Sequence, residues 1–448
     1  MSQNRFTVII HDKIRPYKKN IKVDSDKSIS IRSFLIGAIA QNISIAENVL
    51  ESDDVLSTIN CLKKLGVKIL KTGNKKFSIY GKGLGSFYAK KNATLNFGNS
   101  GTLARLLIGI LSTTPNIELK LTGDSSLKRR SMKSIIQLMT RFGATFFPKG
   151  KFNFPLKIIS SKMPIGIDYE AGVSAQLKSA VILAGLNAYG NTRISEKSFS
   201  RNHTENILMK NNKIIKIKGD KKKNIEIIGG KNLNQLFLNV PGDPSSAAFF
   251  TALTLMNKNS KLKIKNVGLN PTRIGFYKLL KNQGAKILFK NLKKENNEIK
   301  GDIHVTSSKI KSIRAEKKYY VNSTDEYPIL FVVAALIKGT SVFKGVNDLA
   351  NKESDRIKEM QKILYQLNIK SSYKNGEVKI FGKGPINAEK KTIFVPALGD
   401  HRICMSSFIL SILTGAKTKI KNFETVYTSS PSFLKIMKSL GANFEIQK

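Results

Sequence analysis

A helix-forming pattern recurs six times along the chain, and this recurrence limits the possible folds more than any other feature. Apolar helices opened by small polar or charged residues begin at Lys27, Ser100, Ser174, Ser245, Asp325 and Asp400, with spacings of 73, 74, 71, 80 and 75 residues. A second, amphipathic series runs between them. Each of its members ends at a Gly or Asn before a β-like run, at Gly66, Gly143, Asn211, Gly284, Asn368 and Gly441. Two series with the same period describe one structural unit repeated, and 448 residues make six copies of roughly 75. The chain is also too long for one ordinary core, so two lobes of three repeats each are expected.

Within a copy the two helices read differently. Val55, Leu56, Ile59, Leu62 and Leu65 follow the 3.6-residue period, and Gly66 supplies a left-handed stop, so this helix lies on the outside. Phe34, Leu35, Ile36 and Ala38 leave the first helix with no polar face, which suits a helix buried among its neighbours. Six such helices make two bundled cores of three. A buried helix start leaves unpaired N–H groups and the positive end of a dipole, so converging starts form an anion site. Lys27, Arg32, Arg105, Gln176, Asp325, Glu353, Arg356, Asp400 and Arg402 mostly lie at or beside these openings. A purely structural array of capped helices would use Ser, Thr or Asn there, because buried charge is costly unless it is paired or binds a ligand.

Composition narrows the partners. Lys and Arg total 76 against 31 Asp and Glu, a net charge of +45 that favours phosphates, anionic substrates, nucleic acid or acidic membranes without choosing among them. The lysines are spread along the chain, with no clustered stripe and no aromatic stacking pattern. Nucleic acid is therefore not expected as a partner, and an AT-rich base composition explains the abundance of Lys, Asn and Ile. Two cysteines, Cys61 and Cys404, and four histidines show neither a disulfide framework nor metal-ligand spacing, so a reducing cytoplasm and no metal are expected. The opening MSQNRFTVIIHDKIR reads as a short strand and turn without an export signal, and no apolar run reaches membrane-spanning length.

Ten strings then stand out in order: DKSISIR (26–32), FGNSGTLAR (97–105), LTGDSSLKRRSM (121–132), SAQLKSA (174–180), SRNHTE (200–205), PGDPSSAAFF (241–250), DEYP (325–328), KESDR (352–356), GDHR (399–402) and SSPSF (429–433). Together they resemble the motifs of the EPSP synthase family, the 3-phosphoshikimate 1-carboxyvinyltransferases, over essentially the whole chain. The resemblance implies an α/β fold, a two-lobed inside-out barrel built from six βαβαββ repeats, three per lobe. It puts residues 1–24 and 242–448 in one lobe and 25–241 in the other. The crossings fall near Val23–Ser25 and Val240–Asp243, with the active site in the cleft between the lobes. It also implies transfer of the enolpyruvyl group of phosphoenolpyruvate to the 5-hydroxyl of shikimate 3-phosphate, with no cofactor and a monomeric chain. Two phosphates and a carboxylate must be held side by side, a methylene carbon protonated and an alcohol deprotonated, and fixed cations with a pair of carboxylates suffice for this.

By the same resemblance Lys27 contacts phosphoenolpyruvate and shares proton transfer with Asp325 and Glu353. Asp325 takes the hydroxyl proton and Glu353 serves the methylene carbon. Lys27, Ser28, Arg32, Ser174, Ala175, Gln176, Arg201, Asp325 and Lys352 are expected around shikimate 3-phosphate. Lys27, Gly101, Arg130, Gln176, Arg356 and Arg402 are expected around phosphoenolpyruvate, where planar guanidinium groups can hold carboxylate or phosphate by two bonds. Arg129 is the alternative register for Arg130.

Several positions depart from the family pattern. Asp24 and Ser25 replace the usual Pro-Gly, Ile31 stands where some branches have His, Ser131 where Pro is usual, and Thr428 where some branches have Lys. Asp24 is expected to alter the hinge between lobes. Gly101 keeps the small residue that leaves room for glyphosate in sensitive relatives. The nearest rival is enolpyruvyl transfer to UDP-N-acetylglucosamine. That branch uses a loop cysteine as proton donor, and neither Cys61 nor Cys404 lies in a suitable segment. A catalytically dead homologue would be expected to lose some of Lys27, Asp325, Glu353 and Arg402, and all four are present.

Overall fold

The computed structural model describes residues 5–209, 213–220 and 222–448. They fall into two compact units. One holds the chain up to Asp24 together with Gly242–Lys294 and Ile299–Lys448, and the other holds Ser25–Pro241 with the short segment Glu295–Glu298.

The repeat at residues 94–159 shows how each copy is built. Strand Thr94–Asn96 leads into the buried helix Gly101–Thr113 and then strand Glu118–Thr122, which pairs parallel to the first. The outer helix Lys133–Arg141 follows, then the hairpin Thr145–Phe147 and Leu156–Ile159. Leu119 and Leu121 face inward between exposed or half-exposed neighbours, the period-2 pattern of a sheet with one face on the core. All six sheets have four strands, and four of them run first, second, fourth, third in chain order; in the other two a strand distant in sequence takes the first or the fourth of these places.

Three of the sheets are completed by strands distant in sequence. Phe237–Asn239 pairs parallel to Ile43–Glu47 and closes the first sheet of its unit. In the other unit Lys18–Ile21 pairs with Lys261–Gly268, and Thr7–Ile10 fills the fourth place of the sheet built on Thr392–Val395, Lys417–Ile420 and Phe444–Gln447. Pairing through the backbone alone makes these exchanges possible, because a ladder needs only matching edges.

Each unit wraps its sheets around three buried helices. They are Lys27–Ile39, Gly101–Thr113 and Ala175–Gly185 in one unit, and Pro244–Met256, Tyr327–Ala335 and His401–Thr414 in the other. A Cβ on Gly109 would lie 2.5 Å from the carbonyl oxygen of Ala180, so glycine is what lets two of these helices approach so closely. Two separate apolar cores result, one per unit.

The helix starts are capped by side chains. Asp26 accepts from the Ile29 amide at 2.8 Å, Ser100 from Leu103 at 3.2 Å, Ser174 from Leu177 at 3.4 Å, Asp243 from Ser245 at 2.7 Å and Asp400 from Arg402 at 2.9 Å. The expected opening at Asp325 is displaced: Thr324–Glu326 forms a 3-10 turn, and the helix begins at Tyr327 with Pro328 in its first turn, where a missing N–H costs nothing. Of the outer-helix stops, Gly66, Gly143, Gly284, Asn368 and Gly441 all have positive φ, as a left-handed cap requires. The stop expected at Asn211 lies outside the described residues.

Apart from the short segment Glu295–Glu298, the chain passes from one unit to the other between Asp24 and Ser25 and between Pro241 and Gly242. Asp24, where the family usually has Pro, is buried. Its carboxylate accepts from the Ser432 amide at 2.8 Å and from the hydroxyls of Ser432 at 2.8 Å and Ser430 at 3.2 Å. The departure thus creates a tether to the start of helix Phe433–Leu440.

Candidate active site

In the Ser25–Pro241 unit, Lys27 is the first residue of its buried helix. Its ammonium lies 3.1 Å from Asp54, a buried carboxylate in the first turn of helix Asp53–Lys64. The adjacent Ser28 offers its carbonyl to Arg32 Nη1 at 3.1 Å. Arg32 is buried and fully oriented, with Nε donating to Thr204 Oγ1 at 2.8 Å and Nη2 to Ser179 Oγ at 3.0 Å. Asp54, Thr204 and Ser179 were not among the expected site residues. Thr204 and Ser179 stand inside quoted motifs, and Asp54 in the acidic start of an outer helix.

A second cluster forms over Gly101. A Cβ there would meet Arg105 Nη1 at 2.7 Å and Arg130 Nη1 at 3.2 Å, so two guanidinium groups occupy the space that the missing side chain leaves. Arg105 Nη1 donates to Gln176 Oε1 at 3.0 Å, and Gln176 Nε2 donates to Thr102 Oγ1 at 3.0 Å. Arg130 follows the short helix Ser125–Arg129 and donates to Asn99 Oδ1 at 2.9 Å, whereas Arg129 is exposed. Of the two registers, Arg130 is the one gathered into this cluster. Ser174 caps the helix that Ala175 opens and that carries Gln176. Arg201 is half-buried between strand Asn191–Glu196 and helix His203–Leu208.

The other unit assembles the carboxylates around Arg356. This guanidinium is 1% exposed. Its Nε donates to Asp400 Oδ2 at 2.9 Å, its Nη2 reaches Asp400 Oδ1 at 3.3 Å and Glu353 Oε2 at 2.6 Å, and Nη1 lies 3.9 Å from Asp325 Oδ1. Burial works against the charged form, but Asp400, Glu353 and Asp325 outweigh it and hold the guanidinium protonated above its ordinary range. Asp400 thus serves as helix cap and as counter-ion at once. Lys352 donates to Asp348, which also accepts from the Tyr320 hydroxyl at 2.9 Å. Burial above all, and then Asp348, raises the Tyr320 phenol, so it remains a donor. Sequence reasoning missed Asp348, whose only signal is its place four residues before Lys352.

Arg402 is the least satisfied of these cations. It is buried against the Phe249 ring, 5.7 Å from the centroid, and its Nε and Nη1 have no hydrogen-bond partner among the described residues. A buried guanidinium with unused donors is costly unless a ligand supplies acceptors. Both thiols are buried. Desolvation pushes Cys61 up to about 12 and Cys404 higher still, so neither suits proton donation or nucleophilic attack near neutrality. Among the described residues no cluster of His, Cys, Asp and Glu is arranged to hold a metal, and no helix is long and apolar enough to cross a membrane. Two shallow cavities on outer sheet faces, one beside Asp168 and Arg193 and one beside Lys18 and Lys263, include none of the expected residues.

Two units of βαβαββ repeats, with sheets outside, helices inside and arginines and carboxylates at the helix openings, define the enolpyruvyl transferase class. The enolpyruvyl transferase NikO from Streptomyces tendae matches with a TM-score of 0.74 over 99% of both chains, at 12% identity, a likeness of fold alone. The profile described as EPSP synthase (3-phosphoshikimate 1-carboxyvinyltransferase) matches residues 11–437. The 3-phosphoshikimate 1-carboxyvinyltransferase of Zymomonas mobilis is 36% identical over 442 residues, covering 98% of this chain and 97% of its own. An EPSP synthase structure from Acinetobacter baumannii matches with a TM-score of 0.84 at 33% identity, over 99% of this chain and 100% of that one. The chain belongs to the EPSP synthase family.

Proposed function

We infer that the chain transfers the enolpyruvyl group of phosphoenolpyruvate to the 5-hydroxyl of shikimate 3-phosphate, giving 5-enolpyruvylshikimate 3-phosphate and inorganic phosphate. This step belongs to the shikimate pathway and leads to chorismate and the aromatic amino acids. The observation that carries the reading is the retention of Lys27, Asp325, Glu353, Arg356 and Arg402 at or beside helix openings in a chain that matches the family from residue 11 to 437.

Ser28, Arg32, Ser174, Ala175, Gln176, Arg201 and Lys352 hold shikimate 3-phosphate, its phosphate meeting helix-start amides and fixed cations. Arg130, Arg356 and Arg402 take phosphoenolpyruvate together with Lys27 and Gln176, and Gly101 leaves the room that lets the Arg130 guanidinium approach. The unpaired donors of Arg402 support this assignment most directly. For Arg356 the available edge is Nη1, since Asp400 and Glu353 occupy the rest.

Addition begins when a proton reaches C3 of phosphoenolpyruvate, from Glu353 or Lys27, and leaves C2 electron-poor. The substrate hydroxyl attacks C2 as Asp325 takes its proton, giving a tetrahedral adduct that still bears phosphate. Elimination breaks the C2–O bond to phosphate, returns a C3 proton to the protein and restores the double bond. Preorganised cations stabilise the charge on phosphate and carboxylate throughout, and the balance needs no redox partner.

Transfer to UDP-N-acetylglucosamine is disfavoured because both thiols are buried and too weakly acidic to serve as its proton donor. The free, buried thiols also support a cytoplasmic location, and two separate cores built within one chain support a monomer. Gly101 supports sensitivity to glyphosate, and rate loss only at very high glyphosate would contradict it. The mechanism is tested by running the reaction in heavy water. The transient methyl group must place deuterium on C3 of the product and of recovered phosphoenolpyruvate, and unlabelled product would rule addition–elimination out.

A further inference from the structure

Lys178 lies in the first turn of helix Ala175–Gly185, four residues after its cap Ser174, and is 0% exposed. Its ammonium donates to Glu196 Oε1 at 2.8 Å and to the Ser200 carbonyl at 3.4 Å, and pairs with Glu205 Oε1 at 2.7 Å. Glu196 Oε1 also accepts from the Ser200 amide at 2.8 Å and its hydroxyl at 2.6 Å. One buried cation therefore pins both ends of the segment that carries Arg201: Glu196 before it and Glu205 after it. Thr204 and Ser179, the chain neighbours of Glu205 and Lys178, form a second set of bonds, in which the Thr204 hydroxyl accepts from Arg32 and donates to Ser179.

The reaction as described gives Lys178 no role, and a lysine at a core position is expensive. An apolar residue would pack there without desolvating an ammonium and two carboxylates. The observations that offset this cost are geometric. The network ties the helix that Ser174 caps to Ser200, the residue before Arg201, and to Glu205, four residues after it. An arginine on a free loop would lose side-chain and backbone freedom on meeting its ligand, and an anchored one has already lost it.

We propose that Lys178, with Glu196 and Ser200, positions Arg201 for shikimate 3-phosphate, acting on affinity for that substrate and not on phosphoenolpyruvate. Lys178 is a positioning residue, since it is enclosed by protein and reaches substrate only through Arg201 and the helix opening. The assignment rests on the functional reading above.

The test uses the full chain with Ser200→Ala, which removes the hydroxyl bond to Glu196 but keeps the amide bond and the buried pairs, and Lys178→Arg, which keeps the charge. Lys178→Met is added to measure the full loss, and Ser200→Ala keeps the test decisive where that variant fails to fold. Calorimetric titration with shikimate 3-phosphate alone is read beside steady-state phosphate release and thermal unfolding. Ser200→Ala is expected to raise the Kd and KM for shikimate 3-phosphate roughly fivefold, the effect of one hydrogen bond, with the KM for phosphoenolpyruvate within twofold. Lys178→Arg is expected to fall between Ser200→Ala and the parent. An unchanged Kd in Ser200→Ala, or an equal rise in both KM values, overturns the assignment. A parent protein that neither binds shikimate 3-phosphate nor releases phosphate sinks the functional reading and this assignment with it. A parent that does both, matched by Ser200→Ala, sinks the assignment alone.

Discussion

Replacing Arg356 by Met removes the cation that three carboxylates share. Asp400 is wholly buried and loses two bonds, at 2.9 and 3.3 Å, while Glu353 loses one at 2.6 Å. Breaking a buried pair from one side costs about 3–5 kcal/mol, because the remaining charge is left uncompensated. Asp400 keeps its capping bond from the Arg402 amide and a 3.0 Å bond from Ser354 Oγ, so the lower end, about 3 kcal/mol, applies. In a unit of this size that is a fall in Tm of roughly 6–12 °C. Asn can still cap the helix, so Asp400→Asn added to Arg356→Met should cost less than about 1 kcal/mol further. Alone, Asp400→Asn leaves Arg356 short of a partner and should cost about 2 kcal/mol. Scanning calorimetry on the two single variants and the double variant measures the coupling. A fall of under about 2 °C for Arg356→Met, or strictly additive costs, would refute the view that this ion cluster holds the helix openings of its unit together.

Other outcomes follow from the same geometry. Lys27→Met should lower kcat/KM by at least about a hundredfold while circular dichroism stays native, because proton transfer and substrate charge are lost from a partly exposed position; near-parental turnover would exclude the role. Gly101→Ala introduces a carbon 2.7 Å from Arg105 and 3.2 Å from Arg130, so the KM for phosphoenolpyruvate should rise about tenfold and that for shikimate 3-phosphate far less. Equal changes in both would place the two arginines elsewhere in the reaction. Cys61, raised from 9.0 to about 12, should react with a disulfide reagent at pH 8 roughly a thousandfold more slowly in the folded chain than in urea. The sign for stability is the same: above pH 9 the unfolded chain releases protons from Cys61, Cys404 and the buried tyrosines that the folded chain retains. Stability should therefore fall from about pH 9 for the thiols and from about pH 10 for the tyrosines, by about 1.4 kcal/mol per unit per group, and equal urea midpoints at pH 8 and pH 10.5 would contradict it.

The six-fold repetition was legible because burial on every side leaves its mark on composition. A helix such as Lys27–Ile39 has no polar stripe, and its partner ends at a residue that accepts positive φ, so both can be counted without knowing any contact. Strand exchange was not legible. Thr7–Ile10 and Phe237–Asn239 complete sheets whose other strands lie far away in sequence, and an edge strand carries no record of which edge it joins. The helix opening at Asp325 was read two residues early, since the acidic pair looks like a cap while Pro328 in the first turn moves the start to Tyr327.

At the site, residues at helix openings were identifiable, but their partners were not. Lys27 with Asp54 and Lys178 with Glu196 and Glu205 depend on how neighbouring elements pack, and a pair of charges at such separations has no periodic signature, whereas Lys352 with Asp348 carried the four-residue spacing of a local pair. Arg356 is the instructive case. Its motif marks it as a ligand clamp, whereas the structure shows most of its donors already committed to Asp400 and Glu353. A resemblance can name a residue without revealing how much of that residue is still available.

The most direct test is phosphate release by the purified chain supplied with phosphoenolpyruvate and either shikimate 3-phosphate or UDP-N-acetylglucosamine, with Asp325→Ala in parallel. Release with the shikimate acceptor alone, lost in the variant, is the predicted result. Release only with the sugar nucleotide, or undiminished release by Asp325→Ala, would contradict it.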